Sequence, residues 1–225
     1  NKIKTTYQDE EDWDIYWQDG AVQCDKLYRM KSYQRVNHFP GMHILCRKNL
    51  FARNLGRMQK KFPEDYNFFP QTWVLPSEYS DSENNLQFVE KQEENFIVKP
   101  EASCQGRGIF LTRNLDDLNP FDHFVVQRYL HKPFLIDELK FDLRLYVFVC
   151  GIDPLRVYIY KEGLCRLSTV KYAPPVASNL ANLCMHLTNY AINKSNKDYE
   201  KNKGSTNDDV GHKRSLTFTL KYIEE

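Results

Sequence analysis

The feature that most constrains the fold is a series of short apolar runs that begins just after Asn95. β-Branched and aromatic residues dominate each run, and turn-forming residues separate the runs, which is the pattern of β-strands. The runs cover residues 96–98, 109–111, 124–126, 143–149 and 155–160. This region therefore predicts a set of short strands.

Helical patterns lie on either side of the predicted strands. Four apolar residues recur at helical spacing before Pro63, which ends the pattern, namely Phe51, Leu55, Met58 and Phe62. A shorter helical pattern covers Leu180 to Leu187. Together the two kinds of pattern predict an α+β fold.

The composition fits a folded protein of a reducing compartment. The chain has 225 residues, 41% of them hydrophobic and 14% aromatic, which is enough for a packed core and excludes global disorder. Its six cysteines form no CxxC pair, which argues against a zinc site and favours reduced thiols. No apolar run reaches the roughly 18 residues of a membrane span, and no signal peptide is visible, so we expect a cytoplasmic protein.

Charge is informative only through its distribution, because 31 basic and 30 acidic residues give a net charge of +1. The stretch between Ile44 and Phe62 carries basic residues and no acidic one. The basic residues are Arg47, Lys48, Arg53, Arg57, Lys60 and Lys61. Such a surface is either simply solvated or binds an acidic partner, and the sequence leaves both interpretations open.

Two polar segments indicate how the chain is organised. Residues 77–94 are polar and acidic and predict a surface connection. We therefore divide the chain into an N-terminal portion with the basic helix, residues 1–94, and a central portion, residues 95–225. Residues 195–209 are again polar and predict a mobile insert.

The segment from Phe96 to Thr112 is the first candidate for chemistry. Lys99 ends a predicted strand, and a loop with Gly106 and Gly108 leads into the next one. Glycines two residues apart let backbone amides approach a phosphate and adopt positive φ, and the lysine adds a positive charge. A hairpin with a glycine turn would show the same pattern, and neither a Walker A loop nor a dinucleotide-binding fingerprint is present.

A second cluster alternates charged and apolar residues. In a strand, Lys140, Asp142 and Arg144 project from one face, which predicts either a polar face lining a cleft or an exposed, salt-bridged face. The apolar residues of this stretch predict that the opposite face is buried; they are Phe141, Leu143 and Leu145.

A third cluster covers residues 185–194. The segment is typical of a boundary between a helix and a loop, with Thr188 or Asn189 as a cap. His186 is suited to general-base chemistry, but a histidine beside leucines is more often a core residue with satisfied hydrogen bonds. We therefore do not count it among the catalytic candidates.

In this order and spacing, the clusters resemble the tubulin-tyrosine-ligase-like family, whose catalytic core is an ATP-grasp fold. The resemblance runs almost end to end, and it implies an ATP-grasp-type core with a small N-terminal α/β portion. The motifs that carry it are Asn37–Gly41 (NHFPG), Phe69–Pro76 (FPQTWVLP), Lys99–Ile109, Gln127–Leu130 (QRYL), Lys140–Arg144 (KFDLR) and Met185–Tyr190 (MHLTNY). The combination is most similar to the tubulin polyglutamylases.

The resemblance implies a reaction. An ATP-grasp ligase converts a carboxylate to an acyl phosphate, and an incoming amine then displaces the phosphate. For this chain, the implied amine is L-glutamate and the implied acceptors are glutamate side chains in the C-terminal tails of tubulin. The implied partners are therefore tubulin and microtubules in the cytoskeleton, cilia or basal bodies, with no nucleic acid or membrane, and the protein is expected to be a monomer.

The resemblance also assigns residues. The implied catalytic residues are Lys99, Lys140 and Asp142. ATP is expected to contact Lys99, Gln105, Gly106, Arg107, Gly108, Gln127, Arg128, Tyr129, Leu130, Lys140, Phe141, Asp142, Thr188 and Asn189. The incoming glutamate is expected at Arg166, Tyr190 and Lys213, where cations suit a substrate with two carboxylates.

One part of the family pattern is absent. The family places its magnesium ligands in a later segment, an Asp followed by a Glu-x-Asn strand, and this sequence reaches Glu225 without one. Because phosphoryl transfer without a metal clamp is implausible, we expect an incomplete core that is inactive alone and assign no metal ligands. A glycylase or tyrosine ligase of the same family, or a non-catalytic microtubule-binding pseudoenzyme, remains an alternative.

Overall fold

The computed structural model describes residues 4–5, 13–79, 95–116, 118–119, 121–201 and 211–224. The predicted connection at 77–94 and the predicted insert at 195–209 lie partly outside the described residues, and the division of the chain between residues 94 and 95 stays a prediction. Helices and antiparallel sheets occur together, which confirms the α+β class.

The N-terminal part consists of short elements and one longer helix. In chain order these are β1 (Ile15–Tyr16), α1 (Cys24–Tyr28), β2 (Arg35–Val36), α2 (His43–Cys46) and α3 (Lys48–Lys61). Helix α3 ends just before Pro63, as predicted. Its apolar side is less covered than the spacing suggests, because Phe51 and Phe62 are 41% and 40% exposed.

A four-stranded antiparallel sheet follows. Its strands are β3 (Thr72–Val74), β4 (Phe96–Pro100), β5 (Phe110–Thr112) and β6 (Phe124–Arg128). They lie in the order β3-β6-β4-β5. The three predicted strands between residues 96 and 126 are thus confirmed, and β3 joins them from an earlier part of the chain.

Alternation along β4 gives this sheet two different faces. Phe96 and Val98 are buried in a core with Trp73. Ile97 belongs to a second core on the opposite face. Lys99 follows Ile97 by two residues and therefore lies on that second face, where the candidate site is built.

The remaining elements form a second sheet, a hairpin and three helices. They are β7 (Leu135–Ile136), β8 (Leu139–Arg144), β9 (Val147–Ile152), β10 (Leu155–Ile159), β11 (Leu164–Leu167), α4 (Leu183–His186), α5 (Tyr190–Asn193), β12 (Lys213–Ser215) and α6 (Leu216–Glu224). The second sheet has the order β12-β11-β8-β7, and its neighbouring strands are antiparallel. Strands β9 and β10 pair with each other as a separate hairpin.

The strand predicted at 143–149 is divided, because β8 ends at Arg144 and β9 begins at Val147. The expectation of a fully buried face opposite Lys140 is also wrong. Phe141 packs against the buried cluster of β7 and β11, but Leu143 and Leu145 are 39% and 45% exposed. The physical reason is that, among the described residues, the β9–β10 hairpin pairs only with itself and leaves this end of β8 uncovered.

None of the described helices has the length and apolar character needed to cross a membrane.

Candidate active site

Lys99 is held in place by a short hydrogen-bond chain on the second face of the first sheet. Its Nζ donates to Oε1 of Gln127 at 2.7 Å. Nε2 of Gln127 donates in turn to Oγ1 of Thr72 at 2.8 Å. Three neighbouring strands therefore fix the position of one ammonium group.

Lys140 reaches the same region from the second sheet. Its Nζ donates to the Tyr129 hydroxyl at 2.9 Å and to the His186 carbonyl at 3.0 Å. The Tyr129 hydroxyl lies 3.1 Å from Nδ1 of His186, whose Nε2 lies 3.1 Å from the Asn179 carbonyl. A carbonyl only accepts, so Nε2 carries the proton and Nδ1 accepts one from Tyr129.

The same network decides the role of His186. Its side chain is fully buried, and burial lowers its pKa, which favours the neutral ring. Both ring nitrogens have protein partners. The interpretation of His186 as a satisfied core residue is therefore confirmed.

The lysines repel one another in a partly dehydrated space. Burial lowers the pKa of Lys140 to about 8, and the charge of Lys99 acts in the same direction, whereas Asp142 opposes it. Burial also lowers the pKa of Lys99, with Lys48 as the second cause. An anion carrying several negative charges would relieve both effects, so this cluster of Lys48, Lys99 and Lys140 suits a polyphosphate.

Lys48 is the member of this cluster that sequence reasoning missed. We counted it with the cations of the basic helix, but its Nζ turns inward and donates to the carbonyls of Pro100 at 2.8 Å and Ser103 at 2.7 Å. These carbonyls open the loop that carries the two glycines. No local signal separates Lys48 from the other cations of α3, because its orientation depends on a loop about fifty residues away.

The glycine loop has the backbone conformation that its sequence predicts. φ is +60° at Gln105, +86° at Gly106 and +67° at Gly108. A Cβ at Gly106 would lie 2.7 Å from Cδ1 of Ile192 and 3.1 Å from Cγ of Asn189. The loop is thus packed closely against the start of α5, which brings Gln105–Gly108 next to Asn189.

Gly106→Ala is expected to lower the free energy of unfolding by about 1–3 kcal/mol, because it combines positive φ with a steric clash. Gly56→Ala is the matched control: a Cβ there meets nothing within 4 Å, and alanine suits a helix interior. Chemical denaturation of both variants measures the difference, and equal stabilities would contradict the packing described for the loop.

The run from Gln127 to Leu130 offers fewer backbone groups to a ligand than expected. The amide of Arg128 donates to the Gln71 carbonyl at 2.9 Å, and the amide of Tyr129 donates to the Asn95 carbonyl at 2.7 Å. Burial raises the pKa of the Tyr129 hydroxyl, whereas Leu130 is 62% exposed. Leu130 and Arg128 are therefore the exposed members of this run.

A row of charged residues crosses the second sheet beside the lysine cluster. Asp142, Arg166 and Lys213 are direct cross-strand neighbours on β8, β11 and β12, so they share one face. Arg166 binds Asp142 with two parallel hydrogen bonds, one of them from Nε to Oδ1 at 2.8 Å. That pairing raises the pKa of Arg166. Nζ of Lys213 lies 4.7 Å from the centroid of the Tyr190 ring.

The structure thus brings most predicted residues into two adjoining groups. Asp142 and Phe141 lie differently from the expected division. Asp142, expected on the nucleotide side, is bound to Arg166, expected on the amino-acid side. Phe141 points to the apolar side of its strand, while Arg107 and Arg128 are exposed and Thr188 is half-buried.

An open concavity of about 840 Å³ lies elsewhere, near α1. Its described lining includes Tyr16, Lys26 and Arg29, and none of the predicted site residues. Nζ of Lys26 lies 3.5 Å from the centroid of the Tyr16 ring. The candidate site therefore lies where the half-buried cations Lys48, Lys99 and Lys140 converge, and not at this concavity.

Among the residues that the structure describes, no group of three or more His, Cys, Asp or Glu side chains could hold a metal ion. The magnesium requirement stays a prediction.

A family model described as the tubulin-tyrosine ligase family matches residues 26–225. The chain belongs to the tubulin-tyrosine ligase family. Individual members agree with this assignment. The chain is 60% identical over its full length to a probable beta-tubulin polyglutamylase of Tetrahymena thermophila, and covers 19% of that protein.

Vertebrate members of the tubulin-tyrosine ligase family are also similar to this chain. Identity is 49% to tubulin polyglutamylase ttll6 of Danio rerio and 45% to tubulin polyglutamylase TTLL6 of Homo sapiens, over 96% of this chain in both cases. The chain spans 27% and 24% of those two proteins. The resemblance identified from the motifs is thus confirmed, and the activity of a whole protein of this kind is a matter for proposal.

Proposed function

We propose that this chain is part of an ATP-dependent tubulin polyglutamylase, which joins L-glutamate to glutamate side chains in the C-terminal tails of tubulin. The observation that carries the proposal is the convergence of Lys99 and Lys140, from two different sheets, beside a tightly packed glycine loop. Relatives named tubulin polyglutamylases, at 45–60% identity, support the choice of reaction.

The lysine cluster would bind the phosphates of ATP. An oxygen of the acceptor carboxylate attacks the γ-phosphorus, ADP leaves, and an acyl phosphate forms. The amine of the incoming glutamate then attacks the acyl carbon, phosphate leaves, and the amine loses a proton. Lys99 and Lys140 would balance the charge of the transferring phosphoryl group, and the packed loop would offer backbone amides to it. Magnesium is proposed as the metal cofactor.

The charged row would bind the incoming amino acid. Arg166 can hold a carboxylate with two parallel hydrogen bonds, and Lys213 lies next to it on β12. Two cations on one face match the two carboxylates of glutamate, with Tyr190 closing the side of the site near Lys213. In this proposal, Asp142 stays bound to one side of the Arg166 guanidinium and holds it in position, and the carboxylate of the substrate binds the remaining N–H groups.

The adenine base would lie against the run from Gln127 to Leu130. The amides of Arg128 and Tyr129 already have backbone partners. We therefore propose that the backbone amide and carbonyl of Leu130, whose side chain is exposed, form the hydrogen bonds to the base.

The cellular location proposed for the protein is the cytoplasm, on microtubules, cilia or basal bodies.

The proposal is tested with the full-length protein, microtubules, ATP and labelled glutamate, glycine and tyrosine in parallel. Incorporation of glutamate that depends on ATP is the expected result. Preferential incorporation of glycine or tyrosine would show that the protein is a glycylase or a tyrosine ligase of the same family. Microtubule binding without any incorporation would favour the non-catalytic alternative.

ATP affinity is expected to fall as the pH rises above about 8. Lys140 binds phosphate in its charged form, and its pKa in the free protein is lowered to about 8, so the charge is lost as the pH rises through that value. Titration calorimetry between pH 7 and 9.5 measures the effect. In Lys140→Arg, which keeps its charge throughout this range, the pH dependence should become shallower. An unchanged affinity across the range in the unmodified protein would contradict the proposed role.

A further inference from the structure

We propose that the outer face of α3 is the docking surface for an acidic acceptor peptide with several consecutive glutamates. This inference rests on the proposed function and names the surface that would hold its acceptor. The surface, which we call the α3 basic face, consists of Arg53, Arg57, Lys60 and Lys61.

The α3 basic face is a single stripe. Its residues stand at positions i, i+4, i+7 and i+8 of the helix, a spacing that places them on one side. All of them are exposed. Lys48, in contrast, turns inward and binds the carbonyls of Pro100 and Ser103. The other five cations of the segment are exposed to solvent.

No acidic side chain among the described residues forms an ion pair with the α3 basic face. Arg53 donates to the Ser77 hydroxyl at 2.9 Å, which is not an ionic contact. The ion pairs formed between described residues involve other parts of the chain. A solvated helix face usually carries both signs of charge, whereas a face of one sign attracts a partner of the opposite sign.

The position of the helix connects this face with the candidate site. The first turn of α3 is tied to the loop after β4, through Lys48 and through Asn49, whose Nδ2 donates to Oε1 of Glu101 at 2.5 Å. From Lys48 to Lys61 the helix rises about 20 Å. An extended peptide covers that distance with about six residues. An acidic chain lying along the face would therefore lead directly toward the lysine cluster.

The test compares two charge-reversal variants of equal net charge. The first carries Arg57→Glu, Lys60→Glu and Lys61→Glu on the α3 basic face. The second carries Lys132→Glu, Lys161→Glu and Lys197→Glu, which are exposed lysines outside the candidate site. The probe is a fluorescent peptide of about eight glutamates, and fluorescence anisotropy measures its binding at low salt, where attraction between exposed charges is least screened.

We expect the first variant to weaken peptide binding by about tenfold or more, and the second to stay within about twofold of the unmodified protein. Equal weakening in both variants would show a general charge effect and overturn the proposal. Unchanged binding in the first variant would also overturn it, as would a preference of the unmodified protein for single-stranded DNA or anionic vesicles over the glutamate peptide.

Kinetics of the full-length protein separate this proposal from the proposed function. The first variant should raise the KM for the acceptor with little change in kcat or in the KM for ATP. If the unmodified protein binds ATP and adds glutamate while the first variant shows an unchanged acceptor KM, the docking surface is wrong and the proposed function stands. If the unmodified protein binds the peptide but not ATP, the proposed function fails instead.

Discussion

Lys99→Ala is expected to lower glutamate ligation by the full-length protein by about 10²–10³-fold or more, without unfolding it. Gln127 holds the Nζ of Lys99 in the region that Lys140 reaches from the second sheet, where a cation would stabilise charge on the transferring phosphoryl group. ATP affinity should fall as well, since a hydrogen bond to a charged group contributes about 1.5–3 kcal/mol.

Stability gives this prediction a second readout. Burial and the charge of Lys48 both lower the pKa of Lys99. The charged side chain therefore lowers the free energy of unfolding as long as no anion is bound. Removing it should leave the melting temperature unchanged or slightly higher. A purely structural lysine would behave in the opposite way, with lost stability and little effect on ATP affinity.

Two variants serve as controls for Lys99. Lys99→Met keeps the aliphatic stem and removes the charge, so it should lose activity as Lys99→Ala does. Lys132→Ala removes an exposed lysine outside the site, and activity should be unaffected. Retention of activity in Lys99→Met would show that packing of the stem matters and that the charge does not.

Arg166→Ala is expected to reduce the use of glutamate by tens to thousands of fold, with a much smaller effect on ATP binding. Removing the desolvated cationic partner of a carboxylate typically weakens binding by about 2–5 kcal/mol. Arg166→Lys should not restore activity, because an ammonium group lacks the two-pronged geometry of the guanidinium. Steady-state kinetics with varied glutamate and varied ATP measure the two effects separately.

The pairing of Arg166 with Asp142 adds a sharper test. Asp142→Ala is also expected to abolish ligation without unfolding, because it removes the group that holds Arg166 in position. Since the two side chains act together, the double variant should be little worse than either single one. Strictly additive losses would show independent roles, as would be the case if Asp142 acted on the nucleotide alone.

Donor choice is the outcome that would contradict the polyglutamylase interpretation. If the full-length protein uses glycine as readily as glutamate, or if Arg166→Ala leaves glutamate incorporation intact, the charged row does not select a second carboxylate. The protein would then be a ligase of this family with another donor.

The sequence by itself determined the features that depend on neighbouring residues. Alternation placed Lys140 and Asp142 on one face of β8, Pro63 marked the end of α3, and the glycines of the 105–108 loop predicted positive φ. These features follow from the strand and helix periods and from the conformational range of single residues, which are local properties. The ordered motifs were equally sufficient to indicate the family.

Only the tertiary structure decided which of these residues meet. Arg166 reaches Asp142 because β11 pairs with β8 in one register, and Lys48 turns inward because the loop after β4 offers it two carbonyls. Leu143 is exposed although its strand pattern predicted burial, since cover depends on elements distant in sequence. Register, burial and partners are set by contacts between distant parts of the chain, and local periodicity carries no information about them.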